Sequence, residues 1–63
     1  MTLHDLCETC ENIDVNSTVY IYNNLTLEVY KVCKLKDILD EHGNDTIKWF
    51  CIRYDEDVEV SFT

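Results

Sequence analysis

The closing stretch, TIKWFCIRYDEDVEVSFT over residues 46–63, admits few folds. A run rich in aromatic and β-branched side chains stops at Asp55-Glu56-Asp57. It then resumes as strict alternation, with Val58, Val60 and Phe62 on one side and Asp57 and Glu59 on the other. Alternation of period two after a polar break predicts a β-hairpin with one apolar and one polar face. Two strands alone are marginal in water, so the rest of the chain has to cover or extend that ribbon.

The upstream residues supply the means. Thr2 and Asp5 have capping-box spacing, and Leu3, Leu6, Cys7 and Cys10 recur at helical intervals, which predicts a helix over residues 3 to 11. A turn-rich segment from Asn12 to Ser17 leads into Thr18-Val19-Tyr20-Ile21-Tyr22, a strand by propensity. Asn23-Asn24 reads as the turn of a first hairpin whose second strand runs from Leu25 to Cys33. The faces of that second strand are both mixed, so alternation does not say which is inside. From Lys34 to His42 the period changes again: Leu35, Ile38 and Leu39 form a short apolar stripe, and Gly43-Asn44 is a helix stop. The order α-β-β-α-β-β predicts an α+β domain with an antiparallel four-stranded sheet and two short helices on one face. It also divides into two αββ halves. With 63 residues the chain is one domain, residues 1–63, near the size at which a single core suffices.

Thirteen acidic against five basic residues give a net charge of −8. A field of that sign repels nucleic acid and anionic membranes and attracts basic surfaces. The bases all lie between Lys31 and Arg53, while residues 1–30 and 54–63 carry acids alone. No apolar run approaches the ~18 residues of a membrane-spanning helix, and residues following Met1 do not have the pattern of an export signal, so a cytoplasmic protein is expected. In that compartment the four cysteines are expected as thiols.

Chemical signatures are sparse. A domain of this size has little room for the ~300 Å³ or larger pocket of a typical small-molecule site. The Cys7-x-x-Cys10 pair falls within the first helix, and Cys33 and Cys51 are isolated on strands, which is poor spacing for zinc. Asp5 and Glu8 flank Cys7 and disfavour a reactive thiolate. Asp55-x-Asp57-x-Glu59 opens like a calcium loop but lacks its glycine and its terminal glutamate. No catalytic set, cofactor or metal is assigned, and the chain is read as a non-enzymatic binding module.

The acids themselves have a usable spacing. Alternate residues on a strand lie about 6.6 Å apart on one face, and a step of three on a helix rises about 4.5 Å. DNA presents a phosphate every ~3.4 Å along each strand. Asp55, Asp57 and Glu59, with Glu56 at the turn, and Asp5, Glu8 and Glu11 on the first helix are therefore candidate rows of phosphate-like charge. The aromatics Tyr20, Tyr22, Tyr30, Trp49, Phe50 and Tyr54 cannot all point into one core if the strands alternate. Those left outside either pair across strands and stiffen the sheet, or serve a protein interface, with Tyr20, Tyr22, Tyr30 and Tyr54 as the candidates.

The segments TLHDLCETC, VYIYNNLTLEVYKV, KLKDIL and WFCIRYDEDVEVSF resemble, in size, charge and element order, small acidic orphan proteins of bacteriophages and mobile elements. That type includes anti-CRISPR inhibitors, which block a Cas effector by occupying its DNA-binding surface. The resemblance implies a DNA-mimicking inhibitor whose partner is the basic nucleic-acid-binding surface of a host effector complex, with no direct contact to nucleic acid or membrane. A small homodimer or accessory subunit and a cysteine-ligated zinc module are the competing readings.

Overall fold

The computed structural model describes residues 1–54 and 56–63; Asp55 lies outside the described residues. Helix α1 spans Leu3–Thr9, strands β1 and β2 span Thr18–Tyr22 and Val29–Lys34, helix α2 spans Leu35–His42, and strands β3 and β4 span Ile47–Arg53 and Asp57–Phe62. The α-β-β-α-β-β order is as expected. The sheet order is β2-β1-β4-β3.

The sheet is mixed, which corrects the antiparallel expectation. Both hairpins are antiparallel, but they join through a parallel pairing of β1 with β4, in the register Val19↔Val58, Tyr20↔Glu59 and Ile21↔Val60. The cause is α2. Strand β2 ends at Lys34, opposite the start of β1, and α2 carries the chain back along the sheet before β3 begins at Ile47. This crossover makes the two edge strands parallel to one another, so the central strands are parallel too. The two αββ units take up different arrangements in the sheet. The inner strand comes first in the β1–β2 hairpin and second in the β3–β4 hairpin.

One cluster holds these elements together. Val19 and Ile21 of β1 and Val58 and Val60 of β4 are fully buried against Leu3 and Leu6 of α1 and Leu35 and Ile38 of α2, with Ile13 and Ile47 at the periphery. Only the central strands bury two full apolar positions each; edge strand β2 contributes little beyond the half-buried Cys33.

Helix α1 begins with the predicted capping box. Thr2 Oγ1 accepts from the Asp5 amide at 3.2 Å, and Asp5 Oδ2 accepts from the Thr2 amide at 3.0 Å. The helix ends at Thr9 with Cys10 as C-cap, so Glu11 falls beyond it and the expected three-step acidic stripe holds only Asp5 and Glu8. The bond from the Thr2 amide holds the Asp5 carboxyl below its usual range. A carboxyl depressed in the folded state contributes stability above its unfolded pKa, and that contribution is lost as pH falls through the folded value. Acidification is thus expected to loosen α1, and Asp5→Asn should remove this part of the acid dependence. Circular dichroism titrations of the two proteins, compared on the acid limb, test this.

The chain's sole glycine, Gly43, caps α2, but not through left-handed freedom, since its φ is −55°. Its carbonyl accepts from the His4 amide at 3.1 Å, which brings the end of α2 against the start of α1. A Cβ there would run into the His4 imidazole and the Leu39 carbonyl oxygen, so the position is fixed by close approach.

The first hairpin turns more widely than a two-residue Asn-Asn turn. Asn23 Oδ1 accepts from the amides of Leu25 and Thr26 at 2.8 and 3.2 Å, and the Leu27 amide donates to the Asn23 carbonyl at 2.8 Å. The loop therefore consumes residues 23–28, and β2 starts at Val29 instead of Leu25. Leu27 sits at φ 61° with its side chain 63% exposed.

Candidate functional site

The register divides the predicted site residues between two faces of the sheet. Asp57 and Glu59 alternate with the buried Val58 and Val60, so they point away from the face that α1 packs on. Asp5 and Glu8 belong to α1, on the other side. The two acidic rows are consequently not brought together, and a single double row of phosphate-like charge is not formed.

On the face away from the core, β1 contributes Tyr20 and Tyr22, β4 contributes Asp57, Glu59 and Ser61, and β3 contributes Trp49, Cys51 and Arg53. The Tyr22 hydroxyl donates to Glu59 Oε2 at 2.5 Å, and Arg53 Nε lies 3.4 Å from Glu59 Oε1. The hydrogen bond to Glu59 pushes the Tyr22 phenol above its ordinary range, while the Glu59 charge raises the Arg53 guanidinium. Glu59 is thus held by partners within the chain. The Tyr22 and Trp49 rings meet at a centroid distance of 5.2 Å and a tilt of 54°, a favourable aromatic geometry. They close over Ser61, the β4 residue opposite Trp49, which is fully buried although it faces away from the core. Cross-strand stiffening therefore accounts for Tyr22 and Trp49.

The Ser61 hydroxyl has no hydrogen-bond partner among the described residues. An unpaired buried hydroxyl carries a desolvation penalty that alanine would not, so Ser61→Ala is expected to raise stability by about 1 kcal/mol. Urea denaturation measures this directly. A loss of similar size would show that the hydroxyl is paired.

A separate acidic locus lies at one end of the sheet. The parallel register sets the start of β1 beside the start of β4, which brings the 12–17 loop against the β3–β4 turn. There Asn12, Asp14, Asn16, Ser17, Thr18, Glu56 and Asp57 line an open depression of ≈ 190 Å³. The residues that line it are polar or acidic, and none is a base. The loop is built from its own side chains: Asp14 Oδ1 accepts from the Asn16 amide at 2.7 Å, and Ser17 Oγ accepts from the Asp14 amide at 3.1 Å. Asp14, Asn12 and Asn16 were not singled out from the sequence. Their turn-forming character was legible, but their position beside Glu56 depends on the parallel pairing.

The remaining candidates are scattered. Glu8 and Glu11 are exposed on α1 and just past it, and Asp55 is outside the described residues. Tyr54 is 82% exposed at φ 53°, with the Arg53 guanidinium 5.7 Å from its ring centre. Tyr30 is 61% exposed on edge strand β2, far in the ladder from the acidic end.

The cysteines are free thiols. Burial pushes Cys7 and Cys33 up, with neighbouring Cys10 adding to the shift at Cys7, so both thiols are poor nucleophiles. Among the described residues no three histidine, cysteine or acidic side chains are grouped to hold a metal, and no helix is long and apolar enough to cross a membrane.

No protein-family model matches the chain, and no curated protein or solved structure is significantly similar to it.

Proposed function

We propose that the chain is a non-enzymatic acidic module that binds a basic protein surface. The observation that carries the reading is the base-free gathering of Asp14, Glu56 and Asp57 around one depression, in a chain of net charge −8. With both helices packed on the core face, the opposite face is left for a partner. Tyr20 adjoins the acidic end there and supplies a ring that can be desolvated, which charge alone lacks. The carboxylates compete with phosphate for lysine and arginine, so the natural target class is the nucleic-acid-binding surface of a host effector complex. An anti-CRISPR-type inhibitor acting on a Cas complex is the specific form suggested by the resemblance to small phage proteins. Glu59, held by Tyr22 and Arg53, orders the face and is not a free contact.

Affinity capture from host lysate, run in parallel with the wild type and a Glu56→Lys/Asp57→Lys variant, tests this reading. A protein retained by the wild type, lost with the variant and displaced by duplex DNA supports it. An identical set of captured proteins with both baits overturns it.

A further inference from the structure

The two ends of the sheet differ in chemistry. Opposite the acidic end, where β1 and β4 finish side by side, Tyr22, Asn23, Asn24, Leu25, Tyr30 and Phe62 line an open depression of ≈ 290 Å³. Half of this lining is aromatic, and none of it is charged. A bulge brings Tyr30 there. The β1–β2 register pairs Tyr22 with Val29 and Ile21 with Lys31, so Tyr30 is the extra residue, and an extra residue breaks the alternation and re-aims its side chain. The other walls are fixed by their own contacts. Asn24 Nδ2 donates to the Phe62 carbonyl at 2.9 Å, and Asn23 Oδ1 accepts from the Leu25 and Thr26 amides, which leaves Asn24 Oδ1 as the amide acceptor of the lining. His42 stacks on one face of Phe62, with 5.2 Å between ring centres and 18° between planes, and Trp49 tilts against Tyr22.

We infer that this aromatic cleft takes the guanidinium of an arginine on the partner. The inference rests on the reading of the chain as a binder of basic surfaces, and it gives that partner a second anchor. A cation is drawn to aromatic rings. Tyr22 is improved for the purpose by its bond to Glu59, because a phenol that donates to a carboxylate at 2.5 Å pushes electron density into its ring. A net charge of −8 supplies a field of the right sign, and no base in the lining opposes it. The absence of a carboxylate from the lining selects arginine over lysine. An ammonium is strongly hydrated and needs an anion to replace its water. A guanidinium is planar and weakly hydrated, stacks on rings, and still has N–H donors for an amide oxygen such as Asn24 Oδ1. Spacing adds a constraint: Thr18 of β1 lines the acidic depression and Tyr22 lines the cleft, and four residues of strand span roughly 13 Å. The partner's arginine therefore lies about that far from the basic group held at the acidic end.

An amide NMR titration of the full chain with methylguanidinium, at constant ionic strength, tests the inference. The Asn23, Asn24 and Tyr30 amides should shift to saturation. Methylurea, the uncharged analogue of the same shape, and methylammonium, the lysine head group, should each bind at least about fivefold more weakly. Tyr30→Ala should weaken methylguanidinium binding by about two- to fivefold, the worth of one cation–ring contact, and Tyr30→Phe should keep it. Glu56→Lys/Asp57→Lys should leave the response of these amides in place, since its charges lie at the other end of the sheet and are screened over that distance. The two readings therefore fail separately: capture from lysate can be lost while the cleft still binds, and the cleft can be inert while capture persists. Shifts that do not saturate overturn the inference. So do equal binding of methylurea or methylammonium, a Tyr30→Ala variant that binds as the wild type does, and tetramethylammonium bound more tightly than methylguanidinium.

Discussion

Ile21→Ala is expected to remove about 2–5 kcal/mol, on the scale of large-to-small changes in packed cores. A domain of this length has roughly 3–9 kcal/mol in all. Ile21 is fully buried on β1, between β2 and β4, where it faces Lys31 and Val60 across the ladders and joins the cluster formed with both helices. Neighbouring strands are hydrogen-bonded on either side, which leaves little room to collapse into the void. The melting temperature should fall by on the order of 8–40 °C, with a broad or incomplete native baseline. Val32→Ala provides the contrast. It lies on the edge strand with half its surface in water, and the monomer should tolerate it to within about 0.5 kcal/mol. Thermal unfolding of the two variants side by side checks the assignment of core and edge.

Gly43→Ala should destabilise by about 1–3 kcal/mol, although helix propensity predicts the reverse. At φ −55° and ψ −34° an alanine is conformationally at ease, and in open surroundings the change would stabilise by about 0.4–1 kcal/mol. Packing decides the sign. The added methyl meets the His4 ring, which can swing away, and the Leu39 carbonyl, which cannot without disturbing the last turn of α2. A His4→Ala background should therefore recover part of the loss but not all of it. Full recovery would mean that the imidazole alone sets the constraint. A stabilising Gly43→Ala would show that the two helix ends do not meet as described.

What could be read from the sequence divides along a physical line. Local periodicity located β1 at Thr18–Tyr22 and both helices within two residues, and it put Val58 and Val60 inside. Those signals depend only on neighbours in the chain. The docking of the two hairpins does not, because it is fixed by where α2 returns the chain, and an α-helix between two strands was read as cover instead of as a crossover. The same step hides the acidic depression. With antiparallel central strands, the Asn12–Ser17 loop would lie at the opposite end from Glu56 and Asp57, and the acidic depression would not exist. Glu11 was lost to a boundary, since Cys10 leaves the helix at φ −100°, ψ 111°. Glu59 was legible as an exposed acid but not as the partner of Tyr22 and Arg53, which are 37 and 6 residues away in sequence. The aromatic count gave a correct warning that the rings could not share one core. It could not say that Tyr22 and Trp49 would close over Ser61.

The functional account rests on the charge at one end of the sheet, and it is most directly tested by the salt dependence of binding to the captured partner, measured by calorimetry. The account predicts that affinity falls by about tenfold or more from low to physiological ionic strength, and that Glu56→Lys/Asp57→Lys flattens the slope as well as weakening the complex. An affinity that does not change with salt, or a variant that binds as the wild type does, would contradict it.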